Sequence, residues 1–321
     1  VSNKISEGQR PEFDETIPEF FRGFLTEWWS QEAGKRPTFE EIKYKLRNSK
    51  EFIYNMNNSE RLFNYVDSID NYEKNKSNDQ IQKKLMENLE DAEFVSSEEF
   101  YEVFKVKYEK TNEEYFAKEF YVDLDYYSSE ERNKISQTLK RIIQINHPSI
   151  VRSLNFNGNR FDKDNRPILL TEFTPTTTLE DVINKGTNYS EWNSTKKLIN
   201  IYGIASAMAY LHSLNILHHN LAPENIIEDS NLYPKIKDFG LEDVFKSKRQ
   251  LQKIYYDSLL NAPEFYKYNK FTKSSEVYTF ALIVYSIMKN EIPQFSWVWW
   301  LKFILVILGR LRQDKILSQH E

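Results

Sequence analysis

Along the 321-residue chain the period of hydrophobic positions first changes near residue 94. Before it, apolar side chains recur at helical spacing. Ile17-Pro-Glu-Phe-Phe-Arg-Gly-Phe-Leu-Thr-Glu-Trp-Trp29 predicts a helix with proline in its first turn, where a missing N–H does no harm. After Gly34, Thr38 and Glu41 have the spacing of a capping box for a second helix. Residues 51–93 are rich in Asn, Glu and Lys with weak helical periodicity (Leu62, Tyr65, Val66, Ile69, then Ile81, Leu85, Leu89) and read as a helical linker. From Phe94 the pattern turns to strands. Phe100–Val106 and Glu114–Val122 predict a pair joined by a turn at 110–113. A helix over about 129–146 follows, then short strands at 151–155 and 168–173. Residues 198–214 predict a strongly amphipathic helix, and 277–288 an almost wholly apolar, buried one. Strands first and helices later imply an α+β, two-lobed architecture.

Composition narrows the chemistry. Forty-three basic and 48 acidic residues leave a net charge of −5, which argues against a nucleic-acid binder. Zero cysteines exclude disulfides, thiolate zinc sites and cysteine nucleophiles, and are compatible with a reducing, cytoplasmic setting. No glycine falls between Gly34 and Gly158, so a phosphate-cradling glycine loop is excluded from that span. The chain opens Val1-Ser-Asn-Lys without a charged-then-apolar leader, and a start at valine suggests a fragment or a processed chain. An apolar run at 295–308, interrupted by Lys302, falls short of the roughly 20 residues a spanning helix needs. A helix buried against the preceding domain or a partner, not a membrane contact, is the expectation there.

Three short segments carry a resemblance. Leu217-His-His-Asn-Leu-Ala-Pro-Glu-Asn-Ile-Ile227, Lys237-Asp-Phe-Gly240 and Ala262-Pro-Glu264 stand in the order and spacing of protein-kinase signatures. With His147-Pro-Ser-Ile-Val, Thr171-Glu-Phe at the hinge and an Ala-Lys pair upstream, residues 94–296 resemble a eukaryotic protein kinase of the tyrosine-kinase-like, serine/threonine type. The resemblance implies a small antiparallel sheet with one helix and a larger helical lobe. Residues 1–50, with Arg36-Pro-Thr-Phe, resemble the last helices of the same fold, so a kinase tail precedes a kinase that lacks one. Either 1–50 ends a preceding domain of a tandem array, or it packs back and completes 94–296. The resemblance pairs the Glu264 carboxylate with an arginine, for which Arg36 is the one match, so distance between them decides. Residues 297–321 read as an apolar, then charged tail.

Site by site, the resemblance is uneven. Ser96, Glu98 and Tyr101 occupy the three glycine positions of the phosphate loop, where side chains block backbone approach. Lys118 is implied as the inner-phosphate lysine, or else is a solvated lysine on an edge strand. Its partner glutamate falls at Thr138, beside Gln137, so the expected ion pair is absent. Asn220 holds the position of the base aspartate, and an amide cannot accept a proton at neutral pH. Ala222 replaces the loop lysine. His219 is offset from the base position, and His218 is expected to be a packed core residue. Asn225 and Asp238 match the magnesium positions, or else serve loop hydrogen bonding. Val103, Ala117 and Ile227 are implied to sandwich an adenine, with Glu172 at the hinge.

These losses lead to a pseudokinase: a scaffold or allosteric partner of a protein or a neighbouring kinase domain, with weak ATP and magnesium binding as an expectation. The alternatives are an active serine/threonine kinase transferring the ATP γ-phosphate to a protein hydroxyl, and a degenerate repeat without function.

Overall fold

The structure, a computed structural model, describes residues 5–54, 59–74, 89–98, 101–109, 111–121, 127–157, 166–186, 189–241, 260–268 and 271–293. The 295–308 run lies outside the described residues, as do Phe100 and Val122 at the ends of the predicted strands and Ile81 and Leu85 of the predicted linker.

Helix α1 (Glu19–Trp28) begins after Pro18 and buries Phe21, Leu25 and Trp28 on one stripe. Helix α2 (Phe39–Asn48) has the capping box its sequence predicts: Glu41 N–H donates to Thr38 Oγ1 at 3.2 Å, and Thr38 N–H donates to Glu41 Oε2 at 2.7 Å. Helices α3 (Lys50–Tyr54) and α4 (Ser59–Lys74) follow. Strands β1 (Leu89–Ser97), β2 (Tyr101–Tyr108) and β3 (Glu114–Phe120) then form antiparallel neighbours. Helix α5 (Ser129–Ile142), capped by Ser128 and Glu131, precedes β4 (Ser153–Asn157) and β5 (Ile168–Glu172). The five strands pair in the order β1-β2-β3-β5-β4.

The larger lobe holds α6 (Leu179–Lys185), α7 (Ser194–Ser213), a small hairpin of β6 (Ile226–Glu228) and β7 (Pro234–Ile236), α8 (Pro263–Tyr268) and α9 (Lys273–Lys289). As its composition requires, α9 is buried from Ser275 to Met288.

Two expectations fail here. Residues 51–93 are not simply a linker. Leu62, Tyr65, Val66 and Ile69 of α4 are buried against the larger lobe, and β1 begins at Leu89. Nor is α7 amphipathic in place. Its polar residues Thr195, Lys196, Asn200, Ser206 and His212 are buried with the apolar ones, because α2 and α4 pack over it. Their donors find partners: Asn200 Nδ2 donates to Lys196 O (3.1 Å) and Leu232 O (3.2 Å), and Lys196 Nζ donates to Asn231 O, although Asn200 Oδ1 has no hydrogen-bond partner among the described residues.

The N-terminal helices pack directly on the larger lobe. Trp28 is fully buried and stacks on Phe280 of α9 at 5.5 Å; Phe39 meets the same ring edge-on at 5.3 Å. Arg36 grips Glu264 with a bidentate pair, Nη1 to Oε1 at 2.6 Å and Nη2 to Oε2 at 3.0 Å. Its remaining donors reach Ser30 O and Ser274 O, and its guanidinium lies 5.1 Å from the centre of the Tyr278 ring. One hydrophobic cluster runs without a break from Ile5 through α1 and α2 into α7 and α9.

Candidate functional site

The cleft between the sheet and the β6–β7 hairpin collects the kinase-like residues. Strand alternation decides which of them face it. In the register Val103↔Lys118 and Phe104↔Ala117, Tyr101, Val103, Phe116, Lys118 and Phe120 share the inner face. Ala117 points the other way, into a separate outer cluster with Val106, Leu154, Ile168 and Leu170. The adenine contact assigned to Ala117 is therefore wrong. A residue adjacent to Lys118 must lie on the opposite face, and the residue two before it, Phe116, takes that place in the cleft wall. Its ring tilts against Phe173 at 4.8 Å.

A cavity of about 520 Å³ opens beside this face. Val103 and Ile227 line it, together with Val95, Phe116 and Val151, and Thr171, Thr174, Thr176 and Thr178 complete the wall. Glu172 contributes no side chain to the wall described: its carboxylate accepts from Lys235 Nζ at 2.6 Å and from Arg152 N–H at 3.0 Å, and its own N–H donates to Arg152 O.

The inner end of the cleft is closed by side chains. Lys118 is buried on β3, a central strand, not solvated on an edge. Its ammonium donates to Asp238 Oδ1 at 2.5 Å, and Tyr101 Oη donates to Asp238 Oδ2 at 2.6 Å. Lys237 Nζ stands 3.6 Å from the same Oδ2, and Lys118 Nζ lies 4.8 Å from the centre of the Tyr101 ring. Burial alone would raise the Asp238 pKa, but Lys118, Lys237 and the Tyr101 hydroxyl outweigh it and bring it down to about 2. Burial, and then the Asp238 charge, push the Tyr101 phenol well above its ordinary value. Across the whole neutral range Asp238 therefore stays ionised and accepts, while the Tyr101 phenol stays protonated and donates. No carboxylate from α5 joins Lys118 among the described residues. Thr138 stands at the family's glutamate position, and Gln137 beside it is exposed.

The catalytic-loop residues hold one another. His218 is buried, burial keeps its ring neutral, and Nδ1 accepts from Asn220 N–H at 3.3 Å. Asn225 Nδ2 donates to Asn220 O at 2.9 Å, and Asn225 O accepts from Lys237 N–H at 3.0 Å, which is the loop-bonding role open to it. Glu276 accepts from His219 N–H at 2.7 Å and bonds His212 Nε2 at 2.6 Å. The His219 ring lies edge-on to Phe271 at 5.4 Å. No group of three or more metal-ligating side chains occurs among the described residues.

This donor set does not fit magnesium and a triphosphate. Both Asp238 oxygens and the Lys118 ammonium are already engaged, and a phenol fills the end of the cleft where phosphates would lie. Sequence spacing locates Tyr101, and its aim at Asp238 follows from the same strand alternation that Lys118 obeys.

Comparison with known proteins agrees with the fold. The family model described as Protein kinase domain matches residues 89–296. Ephrin type-B receptor 3 of Xenopus laevis is 30% identical over 170 residues, 50% of this chain and 17% of the receptor. Cysteine-rich receptor-like protein kinase 14 of Arabidopsis thaliana is 30% identical over 153 residues, 46% of this chain and 23% of that protein. A third relative, the LRR receptor-like serine/threonine-protein kinase FEI 2 of Arabidopsis thaliana, is 26% identical over 151 residues, 43% of this chain and 25% of its own length. The aligned part thus spans a quarter or less of these curated relatives. Among the described residues, no helix is long and apolar enough to cross a membrane.

Proposed function

The chain belongs to the protein kinase family, and within it we propose that it acts as a pseudokinase, binding a protein partner or a neighbouring kinase domain and not transferring phosphate. One observation carries this reading: the Asp238 carboxylate is held by Lys118 and Tyr101 while an amide, Asn220, stands in the base position. Phosphoryl transfer depends on positioned phosphates, neutralised charge and an oriented hydroxyl. A general base alone contributes about 10²–10⁴ in rate, and the closed cleft removes the phosphate seat as well. What remains bonded is the scaffold: the Glu276–His212–His219 bonds and the Arg36–Glu264 pair. A cytoplasmic setting fits a chain without cysteine.

We further propose that residues 5–293 fold as one kinase unit in permuted order; the continuous core from Ile5 to α9 and the Arg36–Glu264 pair support this over a tandem array.

An active serine/threonine kinase is the second reading, favoured by the backbone. His219 and Asp238 hold φ of 69° and 65°, left-handed values uncommon for residues with a side chain, though less so for His and Asp, and often met at active sites. Transfer of radiolabelled phosphate from ATP to a generic basic protein separates the two. The pseudokinase reading expects wild type and Asn220→Ala to be equal at background. Turnover clearly above background that Asn220→Ala abolishes would overturn it.

A further inference from the structure

We infer that the cleft takes an uncharged, planar heteroaromatic ligand of nucleoside size, bound without phosphate or a divalent cation, and that Tyr101 sets this selectivity. The inference deepens the pseudokinase reading and rests on it for the role of the site.

The cavity and its closed end point in different directions chemically. Its body is about 520 Å³, large enough for a bicyclic ring with a sugar-sized substituent. Val103 on one side and Ile227 on the other, with the Phe116 ring, form walls suited to a flat apolar face. Thr171, Thr174 and Thr176 offer neutral donors and acceptors, which match ring nitrogens and hydroxyls rather than anions, while the Thr178 hydroxyl is taken by its cap with Asp181.

Charge balance at the inner end removes the usual attraction for phosphate. Of the two lysines on the wall, Lys118 is paired at 2.5 Å, and Lys237 lies 3.6 Å from the same carboxylate. Glu98 adds a negative charge at the wall. Two cations against Asp238 and Glu98 sum to zero, so an incoming polyphosphate meets no net positive field. For magnesium the obstacle is direct. A hard cation needs carboxylate oxygens, and those of Asp238 are held by an ammonium and a phenol. Freeing them means leaving a buried lysine and a buried phenol unpaired, which is costly.

Tyr101 is the residue that makes the difference. It stands at the third glycine position of the family's loop, packs edge-on against Phe120 at 5.6 Å, and is 3% exposed. Removing its side chain would open the inner end without touching Val103, Ile227 or the threonines.

Calorimetric titration of the full chain with adenosine, with ATP, and with ATP plus magnesium tests this. The expected result is that wild type binds adenosine at least as tightly as ATP, and that magnesium changes ATP affinity by less than about twofold. Tyr101→Gly should tighten magnesium–ATP by about tenfold or more, equivalent to about 1.4 kcal/mol, and leave adenosine within about threefold. Tyr101→Phe, which keeps the ring and its packing but frees Asp238 Oδ2, should show a smaller gain with magnesium and guards against a glycine variant that fails to fold. Tighter binding of magnesium–ATP than of adenosine by wild type would overturn the inference. So would absence of adenosine binding, or a magnesium response unchanged in both variants. A wild type that binds magnesium–ATP best yet transfers nothing would sink this inference and leave the pseudokinase reading standing, whereas Asn220-dependent transfer would remove that reading itself.

Discussion

Two buried ion pairs, Arg36–Glu264 and Lys118–Asp238, have nearly the same local physics and opposite consequences. Each joins distant parts of the chain and is shielded from water, and each has supporting hydrogen bonds: Ser30 O and Ser274 O accept from Arg36, and Tyr101 Oη donates to Asp238. The first joins the N-terminal helices to the larger lobe, with the Arg36 side chain wholly buried. The second borders a cavity and occupies the groups that phosphate transfer would need. Good pairing and complete hydrogen bonding therefore stabilise the fold in one place and close the chemistry in the other. The lesson concerns position, not strength: a satisfied charge is an asset in a core and an obstacle in a site.

Breaking the first pair should have the largest effect. Arg36→Ala leaves the Glu264 carboxylate without its cation, and removal of one partner of a buried pair costs about 3–5 kcal/mol. Chemical denaturation of the full chain should register that loss. A change below about 1 kcal/mol would contradict the permuted arrangement, because in a tandem array Arg36 and Glu264 need not meet.

Next in size is a pH effect at a buried acid away from either pair. Burial raises the Glu228 carboxyl to about 8, against the pull of its hydrogen bond from Asn200, and Oε1 has no hydrogen-bond partner among the described residues. The folded state thus holds a proton that the unfolded chain releases near its ordinary value of 4.5. Stability from this group is complete below that value and is lost as pH rises toward 8, with a slope of up to about 1.4 kcal/mol per pH unit. Glu228→Gln should flatten the decline in melting temperature between pH 5 and pH 8 and change little at pH 4. An equally steep decline in the variant would refute the assignment.

Gly203 gives a smaller, purely steric test. A Cβ there would come within 2.6 Å of Pro234 Cγ and closer still to Tyr65 Oη, so α4 and the β6–β7 hairpin both press on α7 at this point. Gly203→Ala should cost about 1–3 kcal/mol by overpacking. Adding Tyr65→Phe should recover part of that, since the hydroxyl is the nearer atom, and a double-mutant cycle measures the coupling. Strict additivity would mean that α4 does not pack there.

How far the sequence revealed this molecule depends on which interactions were local. The loop signatures around Asn220, Asp238 and Glu264 were legible because their chemistry lies in a few adjacent residues at fixed spacing. The Thr38–Glu41 cap was legible for the same reason. Helix α4 was harder. Leu62, Tyr65, Val66 and Ile69 do form a stripe, but it is set among polar residues, and only the presence of α7 across from it shows what the stripe buries. The resemblance put Ala117 in the cleft, but strand alternation turns it outward, since residues adjacent in a strand cannot share a face. The joining of residues 5–48 to the larger lobe was one of two readings that sequence left open, because a tail and the body it completes look alike whether they belong to one domain or two.

The smallest prediction separates stability from function at the second pair. Tyr101→Phe removes one hydrogen bond to Asp238 but keeps the ring against Phe120. Lys118 still holds Oδ1, Lys237 stands 3.6 Å from Oδ2, and the adjoining cavity gives water room to approach. The vacated oxygen is therefore not stranded, and the loss should be about 1.5 kcal/mol, the low end for a hydrogen bond to a charged group. If denaturation instead gives a loss comparable to that of Arg36→Ala, the closed cleft is holding the lobes together. The two ion pairs would then share a structural role, and Tyr101 would belong to the frame of the molecule and not to its selectivity.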